Sequence, residues 1–181
     1  MIERKNKVFI ATSLDGFIAD KDGGIEWLDT FTEINEVDTG YEAFNSRIDA
    51  LVMGRSSFET VLSFDIDWPY EKPVFVLSNS LTELPNELGA SVQIVRGSLE
   101  KILRQIHDQG YYNLYIDGGK TIQSFLKEEL IDEMVITIIP ILLGSGIPLF
   151  GELSKQLKFK CIETTLFFDK VVQNRFVRVE G

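Results

Sequence analysis

Residues 112–126 read Tyr112-Asn-Leu-Tyr-Ile-Asp-Gly-Gly-Lys-Thr-Ile-Gln-Ser-Phe-Leu126, and their order decides the fold. The short apolar run Leu114, Tyr115, Ile116 is bounded by Asp117 and the pair Gly118-Gly119. Apolar residues then recur at Ile122, Phe125 and Leu126, which is helical spacing. Strand, glycine turn, helix start: this order leaves backbone N–H groups free at the positive end of a helix dipole, with no Cβ to block a close approach. Lys120 adds a cation at the same mouth. Such a turn is either a tight connection or a seat for an anion, for which a phosphate is the natural occupant.

Working outward, the chain builds a second turn of the same kind. Residues 49–53 (Asp-Ala-Leu-Val-Met) read as a strand, Gly54-Arg55-Ser56-Ser57 follows, and Phe58, Val61 and Leu62 indicate a helix. An Arg at a helix start is electrostatically unfavourable unless an anion compensates it. Its planar fork suits a phosphate, and the two hydroxyls add donors.

Upstream, residues 7–12 (Lys-Val-Phe-Ile-Ala-Thr) read as a buried opening strand that runs into Ser13-Leu14-Asp15-Gly16-Phe17-Ile18-Ala19. A polar loop with Asp20, Asp22, Gly23 and Gly24 follows and ends at Ile25-Glu26-Trp27-Leu28. It is either a lid or a surface loop pinned by one buried aromatic. Tyr41, Phe44 and Ile48 predict a helix over 38–48, with Asp38 near its N-terminal end. Residues 73–78 form a strand ending in Ser78-Asn79-Ser80, and 91–95 a short one. Ser98 caps a helix whose apolar face is Leu99, Ile102, Leu103 and Ile106. His107 lies beside that stripe near the helix end and reads as structural.

From Ile131 the texture changes to all strand. Residues 134–143 are apolar apart from Thr137 and Pro140, Gly144-Ser145-Gly146-Ile147-Pro148 makes a turn, and residues 157–168 and 171–179 read as two long strands around Asp169-Lys170. Cys161 falls in the first of these and is expected to be buried and inert. Alternating strands and helices give a mostly parallel sheet, and the last third adds an antiparallel hairpin. Ligands of such sheets bind at the carboxyl ends of the strands. The Gly54, Ser78 and Gly118 ends fall there, and two phosphate seats in one row point to a dinucleotide.

The bulk numbers exclude several other functions. A chain of 181 residues is expected to form one domain, 1–181, with a core that needs no disulfides. The single cysteine permits no intrachain disulfide and makes a cytoplasmic protein the simplest expectation. One His and one Cys rule out a His- or Cys-rich metal centre within one chain. A net charge of −10 argues against nucleic acid and anionic membrane as partners, and it requires local groups to hold any anionic cofactor.

Taken together, residues 8–19 with their Ser-Leu-Asp-Gly, Met53-Gly54-Arg55, Val76-Leu77-Ser78, Asp117-Gly118-Gly119 and the Pro140–Phe150 stretch (Pro-Ile-Leu-Leu-Gly-Ser-Gly-Ile-Pro-Leu-Phe) resemble the dihydrofolate reductase-like family. The last motif resembles the branch formed by the C-terminal reductase domain of bifunctional riboflavin-biosynthesis enzymes. The resemblance covers nearly the whole chain. It implies a three-layer α/β fold: a mostly parallel central sheet, helices on both faces and a C-terminal antiparallel β-hairpin.

The resemblance also implies NADPH as cofactor. Ala11 and Ile18 would hold the nicotinamide carboxamide. Gly54, Arg55, Ser56 and Ser57 would hold phosphates, with Arg55, Leu77, Ser78 and Asn79 near the adenosine 2′-phosphate. Gly118, Gly119, Lys120 and Thr121 would cradle the pyrophosphate. Counted back from Met53-Gly54-Arg55, Asp38 occupies the place of the folate reductases' catalytic acid, and Thr137 matches a Thr that bonds to that acid. Asp15 and Trp27 are expected on the substrate side. The implied activity is reduction of a pterin- or aminopyrimidine-like heterocycle, first of all a ribosylaminouracil phosphate, with dihydrofolate as an alternative. A dinucleotide-binding module without catalysis is the other alternative, and a homodimer through the C-terminal strands is the implied assembly. Lys72 stands where folate reductases carry an Arg for the glutamate tail, and a Lys cannot make the same bidentate fork.

Overall fold

The computed structural model describes residues 4–64 and 66–179. In chain order the elements are β1 (Lys5–Ser13), β2 (Phe17–Ala19), α1 (Tyr41–Asn45), β3 (Ala50–Gly54), α2 (Arg55–Ser63), β4 (Val74–Leu77), β5 (Val92–Val95), α3 (Leu99–Asp108), β6 (Asn113–Asp117), α4 (Gly119–Lys127), β7 (Glu133–Ile139), β8 (Ile147–Pro148), β9 (Phe159–Phe167) and β10 (Val171–Arg178). Stretches of 3-10 helix span Glu26–Glu36 and Asn86–Ser91.

The main sheet has the order β5-β4-β3-β6-β1-β7-β10-β9. Every pair from β5 through β7 is parallel, whereas β10 is antiparallel to both of its neighbours. The parallel strands are buried on both faces, which explains their continuous apolar runs such as Leu51-Val52-Met53 and Val74-Phe75-Val76. On one face Phe44 of α1 and Phe58 of α2 pack with Leu51, Met53, Val74, Val76 and Tyr115. On the other, Ile102, Leu103 and Ile106 of α3 and Ile122, Phe125 and Leu126 of α4 pack with Val8, Val52, Phe75 and Ile116. Helices therefore cover both faces, and the hairpin of β9 and β10 closes the C-terminal edge. No helix among the described residues is long and apolar enough to cross a membrane.

The structure corrects two local expectations, the helix over 38–48 and the burial of Cys161, and defines the loop after Asp20. The helix expected over 38–48 is reduced to α1. Gly40, at φ 82°, occupies its N-cap, and Asp38 stands outside the helix and accepts from the Gly40 N–H at 2.7 Å. The loop after Asp20 continues into the 3-10 stretch Glu26–Glu36, where Trp27 is buried with Ile139 and Val171. Cys161 is exposed: it lies on the outermost strand, where no second layer covers the alternating side chains.

Candidate functional site

The two glycine turns lie on adjacent strands and touch. Met53 of β3 is in register with Asp117 of β6, so Gly54 and Gly118 leave the sheet side by side. A Cβ added at Gly118 would stand 2.2 Å from Ser57 Oγ and 4.0 Å from the Gly54 nitrogen. One added at Gly54 would stand 2.9 Å from Thr121 Oγ1. Neither cap residue supplies a side-chain hydrogen bond to its helix, and neither first turn carries an acidic residue. The starts of α2 and α4 thus lie side by side, with Ser57 and Thr121 where they touch and Arg55 and Lys120 exposed beside them. Two adjacent helix N-termini make a natural anion seat.

The cradle continues along β4. Gly54 is in register with Leu77, so Ser78 follows directly beside the start of α2. Arg55 Nη1 donates to Ser80 Oγ at 3.1 Å, and Ser78 Oγ accepts from the backbone N–H groups of Ser80 and Leu81. Asn79 is exposed on the same loop. Arg96, just past β5, donates to the carbonyls of Ser78 and Leu81 and so brings a second guanidinium to this corner. Sequence reading passed over Arg96, because only the pairing of β4 with β5 carries it beside Ser78.

On the other side of Gly118 the cradle meets the first strand. A Cβ at Gly119 would lie 2.8 Å from Ile18 Cδ1, which places Ile18 against the start of α4. Ala11 is in register with Thr137 on β7. Asp15 ties the neighbouring loops together: its carboxylate accepts from Ser13 Oγ at 2.6 Å and from the backbone N–H groups of Leu143 and Gly144. These bonds, the Ser13 hydroxyl first, hold the Asp15 carboxyl below the usual range. Trp27 is buried nearby, packed with Ala11, and its Nε1 has no hydrogen-bond partner.

A cavity of about 200 Å³ opens beneath this region on the α1 face, walled by Phe9, Ala43, Phe44 and Val135 and edged by Gln173 and Arg175. Thr137 lies in the next row of the sheet above Val135, and its Oγ1 accepts from Gln173 Nε2 at 2.9 Å. Asp38 is exposed and engaged with Gly40.

The last residue of β6, directly before Gly118, is a carboxyl, Asp117. Burial raises the Asp117 carboxyl above the usual range, opposed by the Gly118 N–H. Tyr115, whose hydroxyl donates to the Phe9 carbonyl at 2.8 Å, and the phenols of Tyr41 and Tyr70 lie within range of its charge. Burial first, and the charge of Asp117 second, push all three phenols upward, so they remain neutral donors. The signal that could have found this group is a carboxylate immediately before a glycine pair at a strand end, where burial and function coincide. Among the described residues no group of three or more His, Cys, Asp or Glu could hold a metal ion.

Comparisons with known proteins agree with this fold. YwjB of Bacillus subtilis (strain 168), an uncharacterized protein, is 37% identical over 179 residues, covering 98% of this chain and 99% of YwjB. The crystal structure of a putative riboflavin biosynthesis protein from Shewanella sp. PV-4 superposes with a TM-score of 0.93 at 54% identity, covering 97% of this chain and 99% of that one. Dihydrofolate reductase from Enterococcus faecalis, complexed with NADP(H) and RAB-propyl, shares the fold with a TM-score of 0.63 at 17% identity, covering 97% of each chain. The sequence profile of the RibD C-terminal domain matches residues 5–172, the span that runs from the first sheet strand into the closing hairpin, and the chain belongs to that family.

Proposed function

We propose that the chain is an NADPH-dependent oxidoreductase that reduces a pterin- or aminopyrimidine-like heterocycle. Reduction of the ribosylaminouracil phosphate of riboflavin synthesis is the first activity to test, and dihydrofolate reduction is the alternative. The observation that carries this reading is the close approach of the two glycine turns: a Cβ at Gly118 would collide with Ser57 of the Gly54 turn, and one at Gly54 would press on Thr121 of the Gly118 turn. The name of the Shewanella relative and the NADP(H) bound in the E. faecalis enzyme support the same reading.

The cradle's chemistry fits a pyrophosphate. Gly118, Gly119, Lys120 and Thr121 would hold it with Gly54, Ser56 and Ser57. Arg55, Arg96, Leu77, Ser78 and Asn79 would frame the adenosine 2′-phosphate, where a guanidinium fork matches the anion. Ala11 and Ile18 would position the nicotinamide. When bound, the reduced cofactor supplies a hydride. The chain's own part is to bury the heterocycle between Phe9, Phe44 and Val135, to exclude water with Trp27, and to hold a proton. We assign the proton to Asp117, because its burial keeps the carboxyl protonated beyond the range of an exposed acid. Asp38, which lies in solvent, would serve at the rim, and Asp15 would act by holding the loops that border the substrate.

The test is NADPH consumption with the aminouracil phosphate, dihydrofolate and small carbonyl compounds, using wild type, Asp117→Asn and Asp38→Asn. Turnover with the aminouracil phosphate that is strongly reduced in Asp117→Asn and kept in Asp38→Asn supports the whole reading. Tight NADPH binding without turnover of any substrate would instead make the chain a binding module. Exposed Ile162, Leu166 and Phe168 on the outer hairpin support a homodimer through the C-terminal strands, and a monomer in sedimentation equilibrium would remove that part.

A further inference from the structure

We infer that the junction of α3 with β6 is an acid-sensitive latch: protonation of His107 breaks its stack on Tyr112 and loosens the starts of β1 and β6, while the glycine turns at the far end of the sheet stay closed. This stands apart from the reductase reading. His107 is the only histidine of the chain and lies in the last turn of α3. Its ring stacks on Tyr112 with centroids 5.8 Å apart and planes at 24°, and the Arg4 guanidinium lies 5.9 Å from the centroid of the same Tyr112 ring. The imidazole Nε2 is buried and has no hydrogen-bond partner. A neutral imidazole tolerates this, because the atom without a partner can be its bare lone pair. An imidazolium does not. Nε2 then carries a proton and a share of the charge, with no acceptor and no water to receive them.

The charged groups around the ring divide. Asp108 and the carbonyl end of α3 favour a cation, whereas burial and Arg4 oppose it; burial is the largest effect, and it holds His107 below its ordinary value of 6.5. The native state therefore binds this proton more weakly than the unfolded chain. The stability it contributes is complete above pH 6.5 and is lost as pH falls through that value toward the lower native one. Several elements meet at the Tyr112 backbone. Its N–H donates to the Asp49 carboxylate at 2.8 Å, its carbonyl accepts from the Lys5 N–H at 3.1 Å, and Asp49 also accepts from the Asn113 N–H at 2.7 Å. The Tyr111 N–H reaches back to the Ile106 carbonyl at 3.4 Å, a long bond, and the Gly110 N–H to the His107 carbonyl at 2.9 Å. A Tyr112 ring that leaves its stack thus loosens the end of α3 and the first pairing of β1 with β6, Lys5 with Asn113, together. Beyond it, Leu114, Tyr115 and Ile116 are buried and stop the opening short of Gly118.

A single histidine makes the test direct. Its imidazole proton resonances are titrated in the wild-type protein, and the midpoint is expected below 6.5. Amide hydrogen exchange, corrected for the intrinsic effect of pH, is then compared at about pH 7.5 and about pH 5.5 for wild type and His107→Phe, which keeps a ring against Tyr112 and carries no charge. In wild type, peptides covering residues 4–7 and 107–113 are expected to exchange about threefold faster or more at the lower pH, and residues 114–126 to be unchanged. His107→Phe is expected to lose that difference. Titration of Asp117 is common to both proteins and cancels in the comparison. A midpoint at or above 6.5, an equal acid effect in His107→Phe, or acceleration spread evenly through residues 114–126 overturns the inference. Should His107→Phe fail to fold, the wild-type midpoint and the location of its acid-induced exchange decide the matter without it.

Discussion

Replacing Gly118 by Ala tests whether the two glycine turns interlock as the structure shows. At φ 87° and ψ 137° an L-residue sits in sparsely populated backbone space, a cost of about 1–3 kcal/mol. The new Cβ would also stand 2.2 Å from Ser57 Oγ, far inside van der Waals contact, and relieving such overlap in a packed region costs about 1–3 kcal/mol. The expected loss is about 4 kcal/mol, roughly half of it steric. The steric half depends on one atom, because the next nearest atom, Ser57 Cβ, lies at an ordinary 3.4 Å. Ser57→Ala removes the clashing oxygen and is itself nearly neutral, since Ala favours a helix. The double variant should therefore recover about 1–3 kcal/mol relative to additivity, measured by urea unfolding of the four proteins at fixed pH without cofactor. Strictly additive losses would show that Ser57 and Gly118 do not touch, and the shared cradle would then be lost as the basis for cofactor binding.

Four further outcomes are expected. Arg55→Ala should weaken NADPH binding by about ten- to a hundredfold, as for a lost charge-assisted hydrogen bond, and leave NADH binding nearly unchanged; fluorescence titration with both nucleotides checks it. Asp117 donates only while protonated, so turnover should fall as pH rises through its raised value, and Asp117→Asn should lack that limb in a pH–rate profile. The same shift makes the native state hold this proton more tightly than the unfolded chain. Asp117's contribution to stability should therefore decline as pH rises from the ordinary carboxylate value, about 4, through the raised one, which melting temperatures of wild type and Asp117→Asn across pH will reveal. Phe44→Ala, which removes a ring 1% exposed and packed edge-on against Tyr115, should cost about 3–5 kcal/mol in urea unfolding.

The sequence by itself determined the sheet and its two glycine turns. Leu114-Tyr115-Ile116 before Gly118-Gly119, and Leu51-Val52-Met53 before Gly54, are apolar runs long enough for strands only, and glycine is what a strand-to-helix turn with positive φ at Gly118 requires. Local rules of that kind need no partner. They failed where the outcome depended on one. The helix expected over 38–48 has the right spacing, but Gly40 at positive φ starts it late and leaves Asp38 in solvent. Cys161 follows an inside–outside alternation that means burial only if a layer covers it, and its strand ended at the edge of the sheet. Tertiary structure alone decided that Arg96 and Arg55 both bond to the loop at Ser78–Leu81, that Gln173 meets Thr137, and that three tyrosines distant in sequence lie within range of the Asp117 charge. Strand order and register made those encounters, and both are set by the global packing of apolar faces rather than by the residues that meet.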